Sequence, residues 1–404
     1  MFKRILAILL VALMLICLVG CEGEKTDISA TYDFVNDCQL AKSGSNSSNV
    51  NIAKCENGYY VAVGKYIYYV DGSLMDSTVL CSKPNCLHDD ELCNAYIGAN
   101  DGIAYNNGYI YTFVDAGLDY EFTGNELKRI SADGTEKEIC FYTEFTPVDW
   151  MMHRGYLYYS VKKYQNIDYA QSTKCDAYIY RIPLDSANPK PEEVYFAEEV
   201  EHNANVSELI AFDNYLYFWV GGDLRDNKGR EVSKTLCMDL STFTTKEMLS
   251  PNGEELFFPK FLDGKLVFGG GVTDEGYLYY KSDINGENIE PLMEIKKNEQ
   301  ITCDGKYLYV DNALGLTLGV AKGGIDKEDT VRTLSVYDSS LNLIDELCFE
   351  SKGAYTWNLL PVDENIFLFG GKNSDDKPVI FYFDKSELGT LKGEKWELHY
   401  SYKG

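Results

Sequence analysis

Basic residues are scarce: 37 Lys and Arg stand against 63 Asp and Glu, giving a formal charge of -26 and a pI near 4.5. A nucleic-acid partner is thereby excluded, because phosphate binding needs clustered cations. Histidine is rarer still, with four in 404 residues, and no spacing among His88, His153, His202 and His399 suggests a Ser-His-Asp or Cys-His nucleophile. No P-loop and no dinucleotide-binding glycine pattern follows a strand signal. Acidic loops such as 323–330 and 372–377 miss the spacing of a calcium-binding EF-hand. Helical periodicity is nearly absent, proline is limited to 10, and only one long apolar run exists, so a multi-span membrane protein is excluded. Apolar residues make up 45% of the chain, which is enough for a packed core and excludes a disordered chain.

The apolar run extends from Ile5 to Gly20 behind Lys3 and Arg4, and its 16 residues fall short of the roughly 20 that span a bilayer. It reads as a signal peptide. Its end, Leu18-Val19-Gly20-Cys21, resembles the bacterial lipobox, which implies cleavage before Cys21, lipidation of its thiol and acylation of the new amino terminus. Several acyl chains anchor stably where one would not. The organisation expected is a signal over 1–20, a lipidated Cys21 with a flexible tether over 21–50, and a folded body over 51–404.

Within the body one short phrase recurs seven times: GKYIYYVD (64–71), NGYIYTFVD (107–115), RGYLYYSV (154–161), DNYLYFWVGG (213–222), DGKLVFGGG (263–271), DGKYLYVD (304–311) and ENIFLFGG (364–371). Successive copies lie 42 to 59 residues apart. Such a period marks a supersecondary unit. Alternating aromatic and aliphatic positions give a strand period, and the 32 tyrosines suit a half-buried pleated surface. Most copies follow a short apolar stretch and precede a second hairpin, such as 126–141 or 332–349. The unit is therefore four strands joined by turns, and the fold expected is an all-β β-propeller of seven blades, with six or eight also compatible. An open solenoid would show shorter, more uniform periods.

Over 50–402, the repeated Asp/Asn-Gly phrases and the hairpins SADGTEK (131–137) and SDINGEN (282–288) resemble the DUF5050-like and TolB-like bacterial propellers. The double-glycine strand ends at 221–222, 269–270 and 370–371 are similar to kelch repeats, without the Tyr and Trp that should follow them. These likenesses imply architecture and leave activity open. SADGTEK and SDINGEN lack the spacing and the Trp of a sialidase box.

Connections between the first and second strands of each unit are short, whereas those between second and third are long, as at 115–125, 162–175, 221–233 and 311–330. Long loops on a rigid scaffold gather binding residues. The rim they form is the expected ligand face, with Tyr120, Phe122, Tyr164 and Tyr169 as rings able to stack on a sugar or to pack back onto the blades.

The densest chemical pattern is Cys81-x4-Cys86-x-His88-x4-Cys93. Three thiolates and an imidazole make a complete donor set for structural Zn2+, with no position left open for substrate. An exported chain also permits disulfides, with Cys38 and Cys55 upstream as partners, or reduced packed thiols. The stretch resembles a cysteine-rich insert of propeller lipoproteins from anaerobic gut bacteria. Cys140, Cys175, Cys237, Cys303 and Cys348 read as small buried hydrophobes.

Together these features point to a cell-membrane, lipid-anchored protein on the extracytoplasmic side that binds a carbohydrate, peptide or protein without chemistry of its own. A propeller enzyme working through rim carboxylates and a structural accessory of an envelope complex are the alternatives.

Overall fold

Residues 52–73, 76–98, 102–115, 124–164, 175–197, 205–221, 233–312, 330–351, 358–362, 364–372, 378–390 and 396–398 are described by the computed structural model. Asn107-Gly108, Arg154-Gly155 and Asp263-Gly264 each hold positive φ at both residues. That is the type I′ geometry whose twist matches flanking antiparallel strands, so these two-residue turns close tight hairpins. The second turn-forming device is an aspartate at the other hairpin. Asp71, Asp133, Asp239, Asp338 and Asp384 each accept the backbone N–H two residues on, a side-chain mimic of a backbone turn. Asp133 also accepts the hydroxyls of Ser131 and Thr135, and these bonds hold its carboxyl down to about 2.

Alternating the two turn types folds each stretch of chain into four consecutive antiparallel strands, and the described residues form seven such sheets, numbered 1 to 7 in chain order. Seven apolar clusters fill the joints between neighbouring sheets. Phe113 and Leu127 of sheet 2 meet Trp150 and Leu157 of sheet 3, and Tyr217 and Cys237 of sheet 4 meet Phe268 and Tyr280 of sheet 5. The last joint returns to the start: Tyr59 and Val61 of sheet 1 pack on Phe367 and Ile380 of sheet 7, with the Tyr59 and Phe367 ring centroids 4.9 Å apart. Asn365 Nδ2 donates to the Tyr59 hydroxyl across that seam at 2.8 Å. Since each sheet consists of consecutive strands, no described strand is shared across the seam, and among the described residues it is side chains that close the ring. This is an all-β propeller, whose thin sheets are stable only because both faces are covered by neighbours.

Polar contacts link the same joints. The His153 ring Nε2 lies 2.6 Å from the Asp213 carbonyl, and Arg154 reaches Asn214 Oδ1 at 2.6 Å, fastening the first turn of sheet 3 to that of sheet 4. His153 is thus a buried packing residue, 2% exposed, in agreement with a structural role.

One open point is settled and one sequence expectation shifts. Six of the seven phrases supply the second strand of their sheet, but GKYIYYVD supplies the third strand of sheet 1, Tyr66–Asp71. Its second strand is Gly58–Val63, preceded by the turn Glu56-Asn57, because register pairs Cys55 with Gly58. The other concerns Cys348, which is exposed: it lies on an outermost strand where Leu347 takes the inward position. Cys175, Cys237 and Cys303 are buried as expected, and Cys140 is half-buried. Among the described residues no helix is long and apolar enough to cross a membrane.

Candidate metal centre

Between sheets 1 and 2 the chain makes an excursion, and its local sequence dictates the path. Lys83 O accepts from Cys86 N at 3.3 Å, with Pro84 and then Asn85 at φ 59° between them. Proline followed by a residue of positive φ is the requirement of a type II turn. Asp90 organises the next turn, its carbonyl accepting from Cys93 N at 3.2 Å and its carboxylate from Leu92 N at 3.0 Å. A third turn follows at once, from Cys93 O to Tyr96 N at 3.2 Å. Thereafter Ile97 N donates to Lys65 O at 2.8 Å, which returns the chain to the edge of sheet 1.

These turns gather Cys81, Cys86, His88 and Cys93 so that one donor atom from each lies within 4.8 Å of all the others. His88 Nδ1 is 3.3 Å from Cys93 Sγ. A tetrahedral ion with metal–sulfur bonds of about 2.3 Å needs sulfurs roughly 3.7 Å apart, so the set fits after closing by about 1 Å at most. The cluster could hold a metal. Cys93 is fully buried, while the other three donors are partly exposed, which gives an ion an entry side. No disulfide links the described cysteines, Cys55 included. Cys38, the other upstream partner expected for a disulfide, lies outside the described residues.

Cys81 and Cys93 differ in proton affinity. Burial above all, with the adjoining Cys81 and Cys86, pushes the Cys93 thiol up to about 12, against the Ala95 N–H. Burial also acts upward on Cys81, but the N–H groups of Lys83 and Asn94 and the two neighbouring thiols together bring it below its ordinary value. Cys81 therefore forms a thiolate before Cys93, which keeps its proton until something displaces it.

The excursion is also tied to sheet 2, through residues about forty positions downstream. Asn94 Nδ2 donates to the carbonyls of Gly134 and Thr135, each at 2.8 Å, and Ser82 N donates to Gly134 O at 3.1 Å. Lys137 Nζ donates to the carbonyls of Glu91, Cys93 and Tyr96 at 2.9, 2.6 and 3.2 Å. Beneath these bonds, Leu80, Cys93, Ala95 and Ile97 pack with Ile67 of sheet 1 and Ile110 and Ile130 of sheet 2. Sequence reasoning missed Asn94, Gly134 and Lys137. The one available signal was the SADGTEK turn, and nothing in it names the loop it meets.

Gly134 carries a test of this contact. It sits at φ 69°, and a Cβ there would lie 2.9 Å from the backbone of Leu80 and Cys81. Gly134→Ala should cost about 1–3 kcal/mol through backbone strain and displacement of Cys81. Denaturation of the variant beside Gly253→Ala, at φ 79° in open space, checks it: equal losses would mean that the close approach has no energetic weight.

The expected rim residues Tyr120, Phe122 and Tyr169 lie outside the described residues, as do Cys21, His202 and His399. Tyr164 ends the second strand of sheet 3, and its side chain is outside them too. The long connections 116–124, 165–174, 222–232 and 313–329 each link the second strand of a sheet to its third, whereas the cysteine-bearing excursion 80–103 links sheet 1 to sheet 2. Away from the cluster, Lys260 is enclosed on an inner strand, its Nζ donating to Phe258 O at 3.1 Å, and burial draws its ammonium pKa down.

No protein-family model matches the chain, and no curated protein matches it. Solved structures do. A tricorn protease is similar over 90% of this chain and 35% of its own length, at 8% identity and a TM-score of 0.51. A puromycin hydrolase is similar over 89% of this chain and 54% of its own length, at 11% identity and a TM-score of 0.51. The β-propeller domain of the Trilobed protease from Pyrococcus furiosus covers 91% of this chain and 97% of its own length, at 10% identity and a TM-score of 0.47. The chain thus spans between a third and about half of the first two proteins. At such identities the likeness concerns the fold, a propeller.

Proposed function

We propose that this is a lipid-anchored, extracytoplasmic binding propeller, fastened at Cys21 and recognising a carbohydrate, peptide or protein on the rim of long connections, with a structural Zn2+ centre at Cys81, Cys86, His88 and Cys93. The observation that carries the reading is the donor set. Four protein ligands fill a tetrahedron and leave no position for substrate, so the clustered chemistry of the described residues serves to hold structure. The closed ring supports it, because a rigid scaffold with four long connections between second and third strands suits recognition.

Two measurements test the reading. Metabolic labelling with a radiolabelled fatty acid should mark the wild type and spare Cys21→Ala, with only the wild type sedimenting with membranes. A glycan and peptide array should give hits that are lost on alanine blocks in 165–174 or 313–320. Turnover of a hit into product would favour the enzyme alternative, and hits unaffected by both blocks would remove the rim from the proposal.

A further inference from the structure

The zinc reading leaves open why the donor loop leans on a turn of the next sheet, and the geometry there points to a second role for that contact. Resting on that reading, we propose that zinc loading latches segment 81–96 onto the turn Ser131–Lys137 of sheet 2, and that Lys137 is the positioning residue of the latch.

The argument is one of charge and reach. Binding Zn2+ releases the thiol protons of Cys81, Cys86 and Cys93 to solvent, so three thiolates, a neutral imidazole and the dication carry a net charge of -1. A half-buried anionic centre needs a nearby cation, or its desolvation is uncompensated. The Lys137 ammonium is in place for this. Its three bonds go to carbonyls at Glu91, Cys93 and Tyr96, so the same group both grips the backbone around Cys93 and brings a positive charge to the ligand loop. Lys83 assists from within the loop, its Nζ donating to Leu92 O at 2.5 Å. Two neutral anchors complete the contact: Asn94, buried and bonded to Gly134 and Thr135, and Ser82 N on Gly134. Of the acidic run Asp89-Asp90-Glu91, the contact with this lysine is the Glu91 backbone carbonyl. No ligand is supplied by sheet 2. The metal binds four side chains of one loop, and the sheet contributes only orientation and charge, as outer-sphere partners of metal sites do.

The test uses the full-length chain purified without added zinc, then given one equivalent of Zn2+. Zinc affinity is read by competition with a chromophoric chelator, and hydrogen–deuterium exchange is followed in 131–137, with the remote turn 338–342 as control. Wild type should bind one zinc per chain, and exchange in 131–137 should slow at least several-fold on loading while 338–342 is unchanged. Lys137→Met should weaken zinc binding by about 10- to 100-fold, and Lys137→Arg should recover much of the loss. One bound zinc with no change in 131–137, or with Lys137→Met binding as the wild type, overturns the latch and leaves the zinc centre standing. No zinc at the cysteines overturns both. If Lys137→Met does not fold, Lys137→Gln replaces it, since it removes the ammonium charge while keeping a donor for the carbonyls and spares every ligand. Exchange in 131–137 that still slows on zinc addition to that variant as in wild type overturns the latch.

Discussion

Lys385→Met should destabilise the protein by about 3–5 kcal/mol, the cost of stranding one member of a buried ion pair. Lys385 Nζ bonds to the Asp304 carboxylate, with side chains only 9% and 3% exposed. The same carboxylate accepts from the Tyr309 hydroxyl at 2.6 Å and from the backbone of Lys306 and Tyr307 at 2.9 and 2.7 Å. Burial, together with the adjoining Asp304 charge, pushes the Tyr309 phenol well above its ordinary value, so it stays a neutral donor across the accessible pH range. One carboxylate thus satisfies a lysine from sheet 7 and a tyrosine on sheet 6, and the joint between those sheets is built around it. Without the lysine the charge remains, with only the neutral donors of Lys306, Tyr307 and Tyr309 to compensate it. Asp304→Asn should cost less, because the amide oxygen still accepts, and the double variant should regain part of the loss since no charge is then left unpaired. Denaturant midpoints of the three variants measure this. A change below about 1 kcal/mol in Lys385→Met would show that water reaches the pair and that burial counts for little.

The second large effect concerns the metal centre. In zinc-loaded protein, Cys93→Ala should abolish stoichiometric binding and lower the melting temperature by roughly 5 °C or more, because metal affinity is folding free energy for the loop that supplies the ligands. Cys237→Ala, a buried thiol in the core of sheet 4, controls for the small cavity that either change creates. It should cost stability equally with and without zinc, whereas the Cys93 variant should lose the zinc response. pH gives an independent check. Metal must displace the proton that Cys93 holds up to about 12, so apparent zinc affinity should rise with pH and fall as acid restores the thiols. A melting temperature of the wild type that is indifferent to zinc would leave the cluster as packed thiols.

The local features of this chain were legible because each rests on contacts close in sequence. Period-2 alternation in phrases such as NGYIYTFVD, the Asn-Gly and Asp-Gly turns and the 42- to 59-residue spacing specify hairpins, and hairpins repeated at that spacing must stack to bury their faces. The first phrase, whose position within its unit the pattern left open, shows where this stops. Both 58–63 and 66–71 alternate and both follow a turn, so only the pairing of Cys55 with Gly58 decides which strand is second. Cys348 was misread for a related reason: alternation gives two faces, and the neighbouring sheet decides which one is covered.

The sequence by itself determined the strands, their turns and the four donors Cys81, Cys86, His88 and Cys93, since these depend on backbone geometry and on spacing within thirteen residues. Only the tertiary structure decided that Tyr59 meets Phe367 to close the ring, that Asp304 meets Lys385, and that Lys137 and Gly134 receive the cysteine loop. Those encounters join residues from about 40 to more than 300 positions apart, where chain connectivity imposes no geometry and only the packing of whole sheets brings the partners together.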